Sequence, residues 1–336
     1  MSMKPNLLKS IALGLLLIGC ESASAVTLKI ATLSPDGSFW MQKMRAGSDE
    51  IEKQTSGRVS LKFYPGGVMG DDATVLRKMR LHQLQGAAVT SGALNSVYPD
   101  IQLYNQILLF QNEQEVAYVR QKMDADLMQG MEQQGMVPLG FADVGFAYIM
   151  STSPVQTLAD LNNQKAWAPE DNKIAQSAFQ ALNVSPIPLP LRDVLMGLQT
   201  GMINMVTGSP VGALALQWHS KIKYITDLPM LYLFGVLAID KPAFDEIAAA
   251  DQQIVRDVMA KAIKEIDQHS REDNQQALTA LQNQGIQLIK PSAESTAELK
   301  QKIAATNAEF EKSAGLSPDK TGKLHNLLTE FRAGKP

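Results

Sequence analysis

Residues 158–204 constrain the fold most, because they alternate short strands with short helices. A strand that stops at Pro169 is followed by a helix over residues 174–182, whose apolar side chains share one face. Three prolines then keep the chain extended, since each fixes its own φ and biases the preceding residue away from the helical region. A second helix ends at Gly201, a usual stop residue. We therefore predict an α/β fold.

The N-terminal part of the chain repeats this alternation. Strand-like runs at residues 27–32, 59–63 and 86–89 are separated by helix-like runs that begin near Ser38 and Asp71. The order β-α-β-α-β indicates a parallel sheet. The chain length permits more than one such unit, because 336 residues suffice for two lobes that each bury a core.

Composition and motifs exclude several functions. The formal net charge of -3 gives no basic surface for nucleic acid, so we expect no nucleic-acid partner. The four histidines are scattered and fit no metal-ligand spacing, which argues against a metal site. The sequence contains no G-x-G-x-x-G, Walker or zinc motif, so we expect no cofactor.

The first 25 residues have the pattern of a cleaved signal peptide. Lys4 and Lys9 precede an apolar run at residues 11–18, which is too short to span a bilayer. An A-x-A cleavage site ends at Ala25, so the mature chain is predicted to begin near Val26. The protein is therefore expected in the periplasm.

The single cysteine, Cys20, leaves a second possibility for this segment. Leu17-Ile18-Gly19-Cys20 resembles a bacterial lipobox, which would anchor the mature protein through a lipidated Cys20. We favour removal of Cys20 with the signal peptide, because the A-x-A site is well spaced and a strand follows at once. Either route places the protein outside the cytoplasmic membrane, and one cysteine permits no intrachain disulfide.

The sequence gives little support for an enzyme. Gly208-Ser209-Pro210 lacks the G-x-S-x-G spacing of a nucleophile elbow. An exported hydrolase using Thr90, Ser91 or Ser209 is the alternative, but loop hydroxyls usually serve as capping groups and a histidine–carboxylate pattern is missing. We therefore predict that the protein is not an enzyme.

Two sets of residues carry a family resemblance that covers nearly all of the mature chain. The first set is Asp160, Lys165, Pro169, Asp193-Val194 and Leu198-Gln199-Thr200-Gly201. The second is Phe63-Tyr64-Pro65-Gly66-Gly67 with Gly70-Asp71-Asp72. Together they resemble the DctP-like solute-binding proteins of tripartite ATP-independent periplasmic (TRAP) transporters.

The resemblance implies a two-lobed α/β fold of the periplasmic-binding-protein type. Residues 141–150 and 231–240 would be strands that cross between the lobes, and a helix over residues 251–283 would span both lobes.

The resemblance also implies limits for the lobes and a cleft between them. Lobe 1 would comprise residues 26–145 and about 236–265, and lobe 2 would comprise residues 146–235 and about 266–330.

The implied function is capture of a small solute by hinge closure and its delivery to a TRAP-type membrane permease. An alternative of another class is a sensor or scaffold that binds a membrane receptor and transports nothing.

The predicted ligand site departs from the family pattern. Trp167 stands where many members have a carboxylate-binding arginine, and Ala147 stands at the place of a second arginine. In the family, the position of Ser209 is often asparagine, that of Ser91 is often acidic, and that of Leu191 is often aromatic. Phe146, Tyr148 and Trp40 are further candidates for the ligand-binding cleft.

Because a buried carboxylate without a counter-charge costs several kcal/mol, these changes favour an uncharged or apolar solute. The alternative is a C4-dicarboxylate or other organic acid whose cation comes from elsewhere, with Arg192 and Lys165 as candidates.

Overall fold

The structure is a computed structural model that describes residues 25–170, 175–176, 179–180 and 182–334. The predicted signal peptide up to residue 24, including Cys20, lies outside the described residues. Four residues of the helix predicted over 174–182 are described as helical, namely 175–176 and 179–180.

Three parallel strands begin the fold, as the β-α-β-α-β pattern predicts. They are β1 (Val26–Thr32), β2 (Val59–Tyr64) and β3 (Gly86–Thr90), with β1 in the middle. The connecting helices are α1 (Phe39–Gln54) and α2 (Asp72–Arg80). Their N-termini are capped by side chains, since Ser38 accepts from the Met41 N–H and Asp71 accepts from the Thr74 N–H.

Strand β4 (Met136–Ser151) lies in an eight-stranded sheet and links the first-lobe part of this sheet to its second-lobe part. Its first part pairs antiparallel with β9 (Leu231–Asp240), which pairs in turn with β3. Its last residues pair with β7 (Met205–Gly208) and β8 (Tyr224–Thr226). The register shifts between Pro138 and Gly140 and between Asp143 and Gly145, and β4 stays paired with β9 as far as Ala147.

Strand β9 runs beside the first part of β4 along its whole length. Leu231, at its start, packs against a core of the second lobe, whereas Leu237 lies in a core of the first. The residue limits assigned to the lobes remain a prediction.

Short strands complete the second lobe. β10 (Gln287–Ile289) pairs parallel with β8. The strands β5 (Trp167–Pro169) and β6 (Ile187–Leu189) form a separate two-stranded parallel sheet, and Pro169 is the last residue of β5.

Helices cover both sheets. The short ones are α4 (Leu158–Asn162), α5 (Val194–Thr200), α6 (Pro210–Ala215) and α7 (Lys241–Asp245), and the long ones are α3 (Glu113–Gln133), α8 (Ala249–Asn283), α9 (Ala293–Ser313) and α10 (Pro318–Arg332). The sequence did not predict α10. Within the part of the chain that is described, no helix is long and apolar enough to cross a membrane.

Helix α8 spans both lobes, as predicted. Its 35 residues extend for about 52 Å at 1.5 Å per residue. Met259 and Ile263 pack in a core of the first lobe, and Leu281 packs with Met150 in a core of the second. Helix α8 therefore contacts both of the lobes that β4 connects.

Candidate functional site

A cavity of about 430 Å³ lies between the two lobes. The loop after β3 and the 3-10 turn Pro99–Asn105 line it from the first lobe, and the β5–β6 sheet lines it from the second. Val144, Ala147 and Ile149 of β4 lie between these walls. The strand that joins the lobes therefore also contributes to the cavity.

Five of the eight residues predicted from the sequence line this cavity, namely Trp167, Ala147, Leu191, Ser209 and Ser91. They come from both lobes and from β4, so the fold brings together residues that are far apart in the chain.

The other three predicted residues lie elsewhere. Side chains alternate along a strand, so Phe146 and Tyr148 occupy the face of β4 opposite Ala147. Phe146 packs edge-on against Tyr232, with 5.9 Å between ring centroids, in a first-lobe core. The expectation that both aromatic rings face the cleft is corrected by this alternation.

Trp40 belongs to the packing of α1 against the first sheet. Its indole lies over Gly235 of β9, where a Cβ atom would come within 2.9 Å of the ring. Trp40 therefore fills space that only a glycine leaves open. The sequence placed Trp40 in the ligand-binding cleft, whereas the structure places it in the packing between α1 and β9.

Trp167 forms part of an aromatic wall in the second lobe. Its indole N–H donates to the Leu189 carbonyl at 2.9 Å, and its ring packs edge-on against Trp218 at 5.5 Å. Only 6% of Trp167 is exposed. Because its single N–H is used within the protein, Trp167 offers the cavity an apolar surface.

Gly208 permits this aromatic wall to pack closely. A Cβ atom at Gly208 would lie 2.8 Å from the Trp218 ring. The glycine therefore lets Trp218 pack closely against β7, and Trp218 in turn contacts Trp167.

The charged residues that line the cavity are acidic. They are Asp71, Asp72 and Glu170, and among the described lining residues there is no lysine or arginine. Hydrogen bonds from Thr74 lower the pKa of Asp71, and the charge of Arg192 contributes to the same shift. Asp71 is therefore a carboxylate at neutral pH.

Of the two cations proposed for an organic acid, Arg192 is the better placed. It follows Leu191 in the second lobe, its side chain is 70% exposed, and its charge acts on Asp71 of the first lobe. Lys165 instead donates to the Gly201 carbonyl at 3.1 Å on the protein surface.

Sequence reasoning missed a polar chain in the first-lobe wall. The Gln102 side-chain nitrogen donates to the Ser91 carbonyl at 2.7 Å, the Ser91 hydroxyl donates to Asn105 Oδ1 at 2.8 Å, and Asn105 Nδ2 donates to the Tyr232 carbonyl at 3.1 Å. The available signal was three amide residues within an otherwise apolar run at residues 101–110, of which Gln102 and Asn105 line the cavity. Other lining residues that were missed are Phe179, Leu189, Met230 and Leu233.

A metal centre finds no support. In the described parts of the chain, no three His, Cys, Asp or Glu side chains are arranged to hold a metal ion.

Two α/β lobes joined by a shared strand and a long helix, with a cavity between them, define a two-lobed solute-binding protein. The chain belongs to the DctP family, described as bacterial extracellular solute-binding protein, family 7, whose model matches residues 30–313.

Similar proteins agree with this assignment. The 2,3-diketo-L-gulonate-binding periplasmic protein YiaO of Escherichia coli is 23% identical, over 72% of this chain and 74% of that protein. The C4-dicarboxylate-binding periplasmic protein DctP of Rhodobacter capsulatus is 22% identical, over 70% of this chain and 71% of that protein.

Solved structures share the fold. A TRAP periplasmic solute-binding protein of Haemophilus influenzae with bound L-gulonate superposes with a TM-score of 0.83 at 19% identity, covering 90% of this chain and 99% of that one. One from Desulfovibrio salexigens with bound orotic acid gives 0.82 at 18% identity, covering 92% and 99%. The predicted family and two-lobed fold are confirmed, and the protein is a TRAP-type solute-binding protein.

Proposed function

We propose that the protein captures a small organic solute between its lobes in the periplasm and delivers it to a TRAP-type permease. The observation that carries this proposal is the cavity of about 430 Å³ whose walls come from both lobes. A solute that touches both walls binds the closed form better than the open form, so it shifts the population towards closure. Periplasmic location rests on the extracellular family and on the export signal predicted at residues 1–25.

The cavity supports binding rather than hydrolysis. The Ser91 hydroxyl donates to Asn105, and the Ser209 hydroxyl oxygen caps α6 by accepting from the Gly212 N–H. None of the four histidines lines the cavity. A serine nucleophile here would lack a base to activate it.

We propose an organic acid as the first class of solute to test. The ligands named for the similar proteins are organic acids, and they support this alternative better than the uncharged solute that the sequence predicted. A buried carboxylate requires a counter-charge, and Arg192 is a second-lobe cation whose charge, like that of Arg77, acts on the lining residue Asp71.

An uncharged solute remains the second candidate. The observation that favours it is the lining of the cavity. Trp167 stands where the resemblance leads us to expect an arginine, and the described charged lining residues are the acids Asp71, Asp72 and Glu170.

Mass spectrometry of solute that co-purifies with the protein, followed by calorimetry, tests both classes. The calorimetric panel comprises L-gulonate, succinate and the neutral polyol sorbitol. Binding accompanied by a smaller radius of gyration in X-ray scattering would support capture by closure. If no co-purified or added solute changes the shape of the protein, the capture function is wrong.

One arginine variant and one lysine control separate the two solute classes. Arg192→Gln should weaken an organic acid about tenfold or more, because a charge-assisted hydrogen bond contributes about 1.5–3 kcal/mol. Lys165→Gln is the matched control, since Lys165 lies on the surface away from the cavity. Equal affinity of Arg192→Gln and wild type for a bound acid would rule out this role of Arg192.

A further inference from the structure

We infer that the first-lobe wall of the cavity carries a pair of side-chain hydrogen-bond acceptors, Ser91 Oγ and Gln102 Oε1, which select solutes that carry hydroxyl or N–H donors. This inference rests on the proposed function and specifies which solutes the cavity accepts. It concerns the polar chain of Gln102, Ser91 and Asn105 described above.

The direction of each hydrogen bond in this chain is fixed by its last member. A backbone carbonyl only accepts, so the atom of Asn105 at 3.1 Å from the Tyr232 carbonyl must be the amide nitrogen. Asn105 Oδ1 therefore faces Ser91 at 2.8 Å, and the Ser91 hydroxyl must donate to it. The donor of Ser91 is consumed, and lone pairs of its oxygen remain for a solute.

The same logic fixes the amide of Gln102. Its nitrogen lies 2.7 Å from the Ser91 carbonyl, which can only accept. Gln102 Oε1 is therefore the other arm of the amide, and no described residue donates a hydrogen bond to it. Gln102 lines the cavity and is only 1% exposed. This amide oxygen is therefore free to accept a hydrogen bond from a donor on the solute.

The neighbouring Thr90 adds no donor to this wall. Both its backbone N–H and its hydroxyl donate to Asp72 Oδ2, at 3.0 and 2.8 Å. On the opposite side, the donor of Trp167 is used by Leu189. The side chains of Ser91 and Gln102 therefore offer acceptors on the first lobe, and Trp167 offers an apolar indole surface on the second.

This arrangement selects solutes of a particular chemistry. Hydroxyl groups on one side of a small molecule can donate to Ser91 and Gln102, while its C–H surface packs on Trp167 and Trp218. A molecule of the same length without donors leaves the acceptors unpaired. The inference holds for a hydroxy acid and for a neutral polyol, because it concerns donors and not the carboxylate.

Paired ligands test the inference on the wild-type protein. Calorimetry compares D-erythronate with butyrate and L-gulonate with hexanoate, so that each pair shares chain length and charge but differs in hydroxyl groups. Sorbitol and 1-hexanol form the uncharged pair. We expect each hydroxylated member that binds to have about tenfold or more higher affinity than its partner. The reason is that one to two additional neutral hydrogen bonds stabilise its complex, and about 1.4 kcal/mol corresponds to a factor of ten.

A variant locates the acceptor. Ser91→Ala should lower the preference for the hydroxylated member of a pair by about three- to tenfold, because it removes one acceptor. Ser96→Ala is the matched control, since Ser96 belongs to the same 3-10 turn but is exposed to solvent. The comparison between ligands needs no variant, so it remains decisive if Ser91→Ala does not fold.

Three outcomes would overturn the inference. They are equal or tighter binding of the deoxy partners, an unchanged preference in a folded Ser91→Ala variant, and failure of every hydroxylated compound to bind. The proposed function has a separate test, because a co-purified solute without donors that closes the protein would preserve capture and reject the acceptor wall.

Discussion

The backbone N–H of Asp143 donates a hydrogen bond of 2.6 Å to the Asp267 carboxylate, where β4 passes the middle of α8. Both of these elements contact the two lobes. Arg120 of α3 reaches the same place, at 3.0 Å from Asp267 and 2.6 Å from the Phe141 carbonyl. A buried ionic network therefore lies at the junction of the lobes.

The network contains more acids than bases. Its carboxyl groups are Glu113, Asp124, Asp143 and Asp267, and its guanidinium groups are Arg120 and Arg271. Asp143 is 0% exposed and its Oδ1 has no hydrogen-bond partner. Burial, together with the neighbouring carboxylates, raises the pKa of Glu113 to about 7 and that of Asp143 to about 6.

These raised pKa values predict that the free energy of unfolding falls as the pH increases from about 4 to about 7.5. In this window the folded state holds protons that the unfolded chain, with carboxyl pKa values of about 4, has already released. The stabilisation is therefore complete below pH 4 and is lost as the pH passes through the pKa values of the folded state. Urea unfolding at several pH values measures it.

The Glu113→Gln variant should show a smaller fall than wild type, because it lacks one of these titrating groups. Glu298→Gln, on the exposed surface of α9, should retain the wild-type slope. A slope that is the same in Glu113→Gln and wild type would assign the pH dependence to other groups.

Arg120→Met should destabilise the protein by about 3–5 kcal/mol. Arg120 is buried and donates to Asp124 and Tyr232 Oη as well as to Asp267 and Phe141, so its removal leaves buried acceptors without a partner. Urea unfolding gives the change, and Arg45→Met, which breaks an exposed pair with Asp36, should leave the midpoint nearly unchanged. A loss in Arg120→Met no larger than that of the control would contradict the buried network.

Much of the fold could be predicted from the sequence, because apolar periodicity reports local structure directly. The limits of β9 were predicted as observed, and α8 begins two residues earlier than predicted. Helix α10 was missed, although Ser317 and Pro318 mark its start and Leu324, Leu327 and Leu328 form its apolar face.

The site was harder to predict than the fold. Along β4 a shift of one residue changes the face of every side chain, so a sequence pattern that is apolar on both sides cannot distinguish Ala147 from Phe146. Gln102 and Asn105 could not be assigned because a 3-10 turn, rather than a periodic element, places them at the cavity.

Gly322→Ala should stabilise the protein by about 0.5–1 kcal/mol. Gly322 lies inside α10, its φ is not positive, and a Cβ atom there meets no atom within 4 Å. Alanine loses less backbone freedom on folding than glycine, and it favours the helix. Thermal unfolding measures the gain, and a lower melting temperature would show that α10 does not tolerate the added methyl group.

Gly208→Ala should weaken solute binding through Trp218. The new Cβ atom would come within 2.8 Å of the Trp218 ring, so the indole must move, and overpacking of this kind costs about 1–3 kcal/mol of stability. Gly212→Ala is the control on the same wall, because its Cβ atom meets only Ser209 Oγ at 3.2 Å. Calorimetry with the co-purified solute should show a larger loss for Gly208→Ala, and equal losses would exclude a role for the packing of Trp218.

Substitution of Trp167 tests the expectation that the residue at position 167 determines which solute is bound. Trp167→Ala should weaken an acid and a neutral polyol alike by roughly thirtyfold, since it removes contact area worth about 2 kcal/mol at about 25 cal/mol per Å². Trp167→Arg should selectively restore the affinity for the acid, because a guanidinium can bind a carboxylate through two hydrogen bonds whereas an indole cannot neutralise its charge. Calorimetry with L-gulonate and sorbitol gives the ratio of affinities in each variant. A ratio that is the same in Trp167→Arg and Trp167→Ala would mean that position 167 does not determine the charge of the solute.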